Sequence, residues 1–167
     1  GGGNKNAGTP GAGGSGIVIV RYPSLIKDAT ANANHGTPTG TTVADGFYGK
    51  ARSFNGTSDY IDVGSITFSS SDNVTAEAWI YITSYPASEG PIVSDRDHTL
   101  AKGWEFQLGS DKKIWSAVGL DGANWKNRYS SVLSLNTWYH VAVIIKGNGD
   151  YSDIYINGVL DNAGTSF

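Results

Sequence analysis

The stretch VTAEAWIYI, residues 74–82, alternates strictly between two kinds of side chain. One set is small or aliphatic and consists of Val74, Ala76, Ala78, Ile80 and Ile82. The other set is polar or aromatic and consists of Thr75, Glu77, Trp79 and Tyr81. Successive side chains of a strand point to opposite faces of its sheet. The pattern therefore predicts a β-strand with its aliphatic face on a core and its other face turned outward.

Strand signals recur on both sides of this stretch, and turn residues separate them. The further candidates are residues 60–63, 91–94, 104–108, 114–118, 138–145 and 153–156. An Asn157-Gly158 pair after the last of them is typical of a tight hairpin turn. Residues 28–49 are rich in Gly, Asn, Thr and Ala, which predicts an irregular, loop-dominated segment. With no long helical stripe, short strands at this spacing predict an all-β, antiparallel sandwich or barrel.

The N-terminal residues 1–16 are glycine-rich and carry no large apolar side chain. In a single chain, such a segment is typical of a flexible linker. In an oligomer, the missing side chains would let several backbones pack closely into an extended stalk. The β-branched run Ile17–Val20 follows and predicts a strand that ends before Pro23. We therefore divide the chain into a glycine-rich leader, residues 1–27, and a β-sandwich, residues 28–167.

Composition excludes several classes of function. The 167 residues are 39% hydrophobic and 16% charged, with a net charge of −3 and no basic run. The electrostatic footprint of a nucleic-acid-binding protein is therefore absent. No apolar stretch approaches the roughly 20 residues that a membrane-spanning helix needs. The absence of cysteine excludes disulfides, thiolate zinc sites and cysteine nucleophiles.

Several blocks resemble, in family order, the laminin-G-like domains of the concanavalin A-like lectin/glucanase superfamily. The blocks are Asn34–Thr37, Asp45–Ala51, Ser53–Gly56, Asp59–Val63, Thr75–Ile80, Trp138–Ala142 and Tyr155–Gly158. The resemblance implies a jelly-roll β-sandwich that spans residues 28 to about 160. Family members usually continue into further closing strands, so we expect residues 28–167 to lack the usual last strands. The run Ile17–Val20, from this chain or a neighbour, is a candidate to fill the open edge.

The leader carries a second resemblance. Residues 13–22, GGSGIVIVRY, are similar to the closing segment of glycine-rich domains on phage tail fibres and bacterial surface proteins. This resemblance implies a virion fibre, spike or adhesin, and an extracellular or virion-surface location. It also implies self-association or contact with other fibre or virion subunits.

Sugar binding is the leading function, because aromatic faces stack on pyranose rings while amides, carboxylates and guanidinium groups bond their hydroxyls. The best cluster is predicted to be a loop and contains Asn124, Trp125, Asn127, Arg128 and Tyr129. Trp79 and Tyr81 form a second candidate platform. For Trp79 the favoured interpretation is packing against a neighbouring loop or subunit.

Two further groups are candidates for ligand or metal binding. Asp95, Asp97 and His98 lie in a predicted loop, and carboxylates with an imidazole are suited to binding a cation or a sugar hydroxyl. The favoured interpretation is nevertheless a solvated, charged loop that binds no ligand. Relatives in the superfamily often bind Ca²⁺ at the sandwich rim, and Asp59 and Asp62 are the residues to consider here. Their spacing of three places them on opposite faces of a strand unless a bulge intervenes, which weakens the pair.

Catalysis is not expected. Glycosidases use two neighbouring carboxylates, which on one strand requires even spacing on the same face. Neither Glu77 nor Glu105 has an acidic residue two or four positions away. Asp95 and Asp97 have the required spacing, but they flank Arg96 in a predicted loop. His35 is predicted to hydrogen-bond within a glycine-flanked loop, and His140 to pack in a strand.

Two functions of different class remain. The first is a non-catalytic module that binds surface glycans or glycoproteins. The second is a purely structural assembly domain that contacts neighbouring subunits. A glycan-binding module should leave one of Trp79, Tyr81 and Trp125 exposed in a shallow pocket, whereas an assembly domain should bury them between subunits.

Overall fold

A computed structural model describes residues 25–64, 72–97, 102–119, 125–146, 152–161 and 164–166. The secondary structure of these residues is β throughout, and none of their segments forms a helix that is long and apolar enough to cross a membrane. The strands are β1 (Thr37–Thr39), β2 (Thr42–Asp45), β3 (Lys50–Ser53), β4 (Tyr60–Asp62), β5 (Val74–Tyr81), β6 (Glu89–Asp97), β7 (Lys102–Gly109), β8 (Lys113–Gly119), β9 (Trp125–Val132), β10 (Trp138–Ile145), β11 (Ser152–Ile156), β12 (Val159–Leu160) and β13 (Gly164–Ser166).

Two antiparallel sheets form the sandwich, as the sequence predicts. The first has four strands in the order β12-β11-β10-β5, and the second has five in the order β13-β9-β8-β7-β6. Strand β11 of the first sheet contacts β8 and β9 of the second, which places the sheets face to face. Packed sheets of this kind enclose a core about 10 Å thick.

The core lies between the sheets and follows the predicted alternation. On β5, Val74 is buried and the aliphatic residues after it are at least half-buried, while the alternate residues are exposed. From the other sheet, Phe106 and Ile114 are fully buried. Phe106 pairs with Ser116 and Leu108 with Ile114, so the faces of β7 and β8 that the sequence assigns to the core do adjoin.

One tight turn and one carboxylate connect these elements. The Asn157-Gly158 pair forms the predicted tight turn, with φ of 52° and 79°. The Asn157 side chain accepts a hydrogen bond from the backbone N–H of His140 at 3.0 Å, which anchors the turn to β10. Asp161, which follows β12, accepts hydrogen bonds from the backbone N–H and the hydroxyl of Ser131 on β9. The Asp161 carboxylate therefore ties the end of one sheet to the other.

Two predictions about local structure are confirmed in outline and differ in detail. Residues 91–94 belong to a longer strand, β6, whose register shifts between Pro91 and Val93. Such a β-bulge accommodates the proline, which has no N–H to donate to the ladder. The segment 28–49 is less irregular than predicted, since it contains β1, which pairs with β4, and β2, which pairs with β3. The predicted strand at residues 17–20 lies outside the described residues.

Candidate functional site

The β2–β3 hairpin carries two aromatic side chains at its tip. Its four-residue loop is Gly46-Phe47-Tyr48-Gly49, closed by a hydrogen bond of 2.9 Å from the N–H of Gly46 to the carbonyl of Gly49. Gly49 has φ of 66°, a conformation that glycine adopts without strain. A Cβ atom at Gly46 would lie only 3.2 Å from the Cβ of Ala51. The flanking glycines thus allow a tight loop that projects Phe47 and Tyr48.

The outer face of the four-stranded sheet presents a second set of aromatic residues. In the β5–β10 register, Trp79 lies opposite His140 and Tyr81 lies opposite Trp138. The ring centroids of Tyr81 and Trp138 are 5.3 Å apart, and so are those of Trp79 and His140. These four residues share one face because side chains of directly opposed residues project to the same side of a sheet.

The hairpin tip packs on this face. The ring of Phe47 stacks on Trp79, with centroids 3.9 Å apart and an interplanar angle of 4°. Tyr48 stands at nearly a right angle to both rings, at 89° to Phe47 and 87° to Trp79. Tyr48 is 76% exposed and Trp79 is 40% exposed. The cluster therefore offers solvent two aromatic surfaces at right angles.

A cleft of about 380 Å³ opens beside these rings. Its wall comes from the β2–β3 hairpin and β4, and its floor from the outer face of the four-stranded sheet. The residues that line it are Gly46, Phe47, Tyr48, Lys50, Ala51, Arg52, Phe54, Ile61, Trp79 and Trp138. The lining combines aromatic faces with two cationic side chains, which is a surface that can stack on a ring and bind polar or anionic groups. We call this the aromatic cleft.

The favoured interpretation of Trp79 is confirmed, since a neighbouring loop packs on it. The same residue and Tyr81, which is 44% exposed, also remain accessible. Trp79 is also part of the lining of the aromatic cleft.

The cluster at residues 124–129 is not the predicted loop. Residues 125–129 belong to β9, inside the five-stranded sheet, and Asn124 lies outside the described residues. Trp125, Asn127 and Tyr129 lie opposite Gly119, Ala117 and Trp115 of β8. Arg128 lies opposite Ser116, whose fully buried side chain faces the core. The strand thus places Arg128 on the other face from its predicted partners.

The group at residues 95–98 is also misassigned as a loop. Asp95 and Asp97 belong to β6, where they pair with Trp104 and Lys102, and His98 lies outside the described residues. The row of paired residues that starts at Asp95 runs through Trp104 and Val118 to Lys126. The sheet therefore brings Asp95 and residues 125–129 to the same end, with Asp95 and Lys126 separated by three strand spacings, or about 14 Å.

The two residues considered for Ca²⁺ accept hydrogen bonds in two different turns. The Asp59 carboxylate accepts the backbone N–H of Asn55 at 2.9 Å, whereas Asp62 accepts that of Gly64 at 2.8 Å. Each carboxylate therefore caps its own turn. In the part of the chain that the structure describes, no three His, Cys, Asp or Glu side chains come together in a way that could hold a metal ion.

The two glutamates lie on different sheets. Glu77 is on β5, where its carboxylate is 3.5 Å from Nε2 of His140. Glu105 is on β7 and is only 2% exposed. Gly103 and Gln107, two positions away on the same face of that strand, carry no carboxylate. His140 packs in its strand and His35 accepts the backbone N–H of Asp28 at 3.1 Å, as the sequence predicts.

Sequence reasoning missed the residues that complete the cleft, namely Phe47, Tyr48 and Arg52. The signal was present, because two adjacent aromatic residues flanked by Gly46 and Gly49 are typical of a tight loop that exposes its tip. The contact of Phe47 with Trp79 joins residues 32 positions apart, and no local pattern predicts such a contact.

Comparison with known protein families gives one match. The family model described as the concanavalin A-like lectin/glucanases superfamily, of laminin-G type, matches residues 55–167. The match covers β4 to β13, including both sheets of the sandwich, and begins after the β2–β3 hairpin. No curated protein matches the chain.

Proposed function

Because this chain belongs to the concanavalin A-like lectin/glucanases superfamily, we propose that it is a non-catalytic module that binds glycans through the aromatic cleft. The observation that carries the proposal is the right-angled arrangement of Tyr48 against the Phe47–Trp79 pair at an accessible cleft. Pyranose rings have an apolar face that packs on aromatic rings, and their hydroxyls bond polar groups at the rim.

The volume of the cleft, about 380 Å³, is in the range of small-molecule sites. A cleft of this size suits one or two sugar units at the end or in the middle of a longer glycan. Its open form suits a ligand that belongs to a larger surface structure. The resemblance of residues 13–22 to fibre and surface-protein segments supports display on a virion fibre, a spike or a bacterial surface.

The positions of the acidic side chains support the proposal of a non-catalytic role. Glycosidases of the two-carboxylate kind place their groups about 5 to 10 Å apart across the scissile bond. Glu77 on β5 and Glu105 on β7 have no acidic residue two positions away on the same strand face. Asp95 and Asp97 are two positions apart on β6, but neither belongs to the described lining of the aromatic cleft. Among the described residues that line the cleft, none carries a carboxylate.

A glycan array with the whole chain tests the proposal. We expect saturable binding, and Tyr48→Ala should weaken it about fivefold, since an aromatic stacking contact contributes about 1 kcal/mol. Tyr60→Ala is the matched control, because Tyr60 is also an exposed tyrosine but does not line the cleft. Equal binding by both variants would contradict the proposal.

A structural assembly role is the second candidate, and the exposed rings of the cluster favour it too, since exposed apolar patches often mark subunit contacts. In that case the array shows no binding. Light scattering instead shows concentration-dependent association that Tyr48→Ala weakens and Tyr60→Ala does not.

A further inference from the structure

The charge of the aromatic cleft is opposite to that of the whole chain. The chain has a net charge of −3, whereas the charged side chains of the cleft lining are Lys50 and Arg52. A locally cationic lining on an acidic protein attracts anionic groups in preference to neutral ones.

The two cations are not equivalent. Nζ of Lys50 is 2.5 Å from Oδ1 of Asp45 across the end of the hairpin, so a carboxylate of the chain already offsets its charge. Arg52 lies one strand repeat further along β3, opposite Val43, and is half-buried. Among the residues that the structure describes, no ion pair includes Arg52.

Acidic residues on or beside the strands that contribute to the cleft have partners other than Arg52. Glu77, two positions before Trp79, lies 3.5 Å from the imidazole of His140. Asp59, just before β4, and Asp62, its last residue, accept backbone hydrogen bonds in their own turns. Arg52 is therefore the cationic side chain of the described lining that forms no ion pair.

From this geometry, and on the basis of the proposed function, we infer that the cleft selects saccharides that carry a carboxylate and that Arg52 binds it. A guanidinium group matches a carboxylate in a two-pronged, charge-assisted hydrogen bond. The apolar side chains of Phe54, Ile61 and Trp79 in the lining lower the local dielectric constant. A guanidinium–carboxylate pair is therefore stronger there than in bulk water. The ring of the sugar then packs on the aromatic surfaces while its carboxylate faces β3.

The test compares oligosaccharides that differ only in one carboxylate, such as glucuronate against glucose and galacturonate against galactose in the same linkage. We expect the whole chain to bind the carboxylated member at least about tenfold more tightly. Arg52→Gln should abolish this preference. Arg52→Lys keeps the positive charge but not the planar guanidinium that binds a carboxylate through two hydrogen bonds, so it should retain part of the preference. Lys27→Gln removes an exposed cation outside the cleft and should leave the preference unchanged.

The outcomes separate this inference from the proposed function. Equal binding of both members of each pair, weakened by Tyr48→Ala and unaffected by Arg52→Gln, would overturn the carboxylate preference and leave the glycan-binding role intact. Absence of binding to every oligosaccharide by a folded sample would overturn both. Thermal unfolding of Arg52→Gln at the wild-type temperature establishes that a loss of preference is not a loss of fold.

Discussion

At the scale of single residues, Asp28 organises the first described loop. Its carboxylate accepts hydrogen bonds from the backbone N–H of Thr30 at 2.8 Å, the hydroxyl of Thr30 at 2.8 Å and the backbone N–H of Asn34 at 2.9 Å. These donors favour the charged form, so the hydrogen bonds, led by that of the Thr30 backbone, lower the pKa of Asp28. The backbone N–H of Asp28 in turn donates to His35.

A lowered pKa predicts a pH-dependent contribution to stability. The unfolded chain binds a proton at Asp28 more readily than the folded chain, so the contribution is present above about pH 4 and is lost as the pH falls through the folded-state pKa. Wild-type protein should therefore unfold at a higher urea concentration than Asp28→Asn at about pH 7. The difference between the urea midpoints of the two proteins should be smaller at about pH 3. A difference that is independent of pH would contradict the lowered pKa of Asp28.

The sequence predicts part of this loop. Histidine between Asn34 and Gly36 indicates a hydrogen-bonding role, and the structure places that bond on Asp28. That His35 reaches Asp28 depends on the turn at Ala33, which has φ of 55°. Alanine adopts that conformation only under constraint from the surrounding loop, so the residue type gives no signal for it.

At the scale of elements, the β8–β9 pairing contains a β-bulge at which a side chain accepts a backbone hydrogen bond. The register shifts between Lys113 and Trp115. The backbone N–H of Ile114, at this bulge, donates to the hydroxyl of Ser130 at 2.9 Å, and that hydroxyl donates to the carbonyl of Ser131 at 2.7 Å. Ser130 is fully buried. A serine side chain thus takes the place of a missing ladder hydrogen bond.

Ser130→Ala should leave the buried N–H of Ile114 without an acceptor. A buried, unsatisfied donor costs about 1 to 3 kcal/mol, so the free energy of unfolding in guanidinium chloride should fall by that amount. Ser134→Ala, at an exposed serine beyond the strand, should change it by less than about 0.5 kcal/mol. Equal values for the two variants would show that the hydroxyl does not compensate the bulge.

Strand assignment from sequence succeeds where one face is aliphatic and the other is not. Residues 74–82 and 138–145 have that pattern, and β5 and β10 follow it almost to the residue. It fails at residues 125–129, because Trp125, Asn127 and Tyr129 supply a polar and aromatic face that resembles a binding loop. The same ambiguity affects Asp95 and Asp97, whose charges suggest solvent although their backbone continues β6. Side-chain polarity alone does not separate a loop from the outer face of a strand.

At the scale of the whole molecule, the fold is a laminin-G-type sandwich and the candidate site lies on the outside of one of its sheets. The β2–β3 hairpin lies before the matched region in the chain and folds back so that Phe47 covers part of Trp79. The sequence predicts the sandwich, because alternation and family order are both local in the chain. It does not predict the aromatic cleft, because the cleft depends on how the hairpin docks on the four-stranded sheet.

The five tryptophans allow one measurement to locate the ligand. Trp79 and Trp138 line the aromatic cleft, whereas Trp104, Trp115 and Trp125 belong to the five-stranded sheet. The measurement is a ¹⁵N–¹H NMR titration of the indole N–H signals with the oligosaccharide that binds most tightly on the array. We predict that the signals of Trp79 and Trp138 shift and saturate together while the other three stay in place. Shifts confined to Trp115 and Trp125, or no shift at a saturating concentration, would contradict the assignment of the cleft as the glycan-binding site.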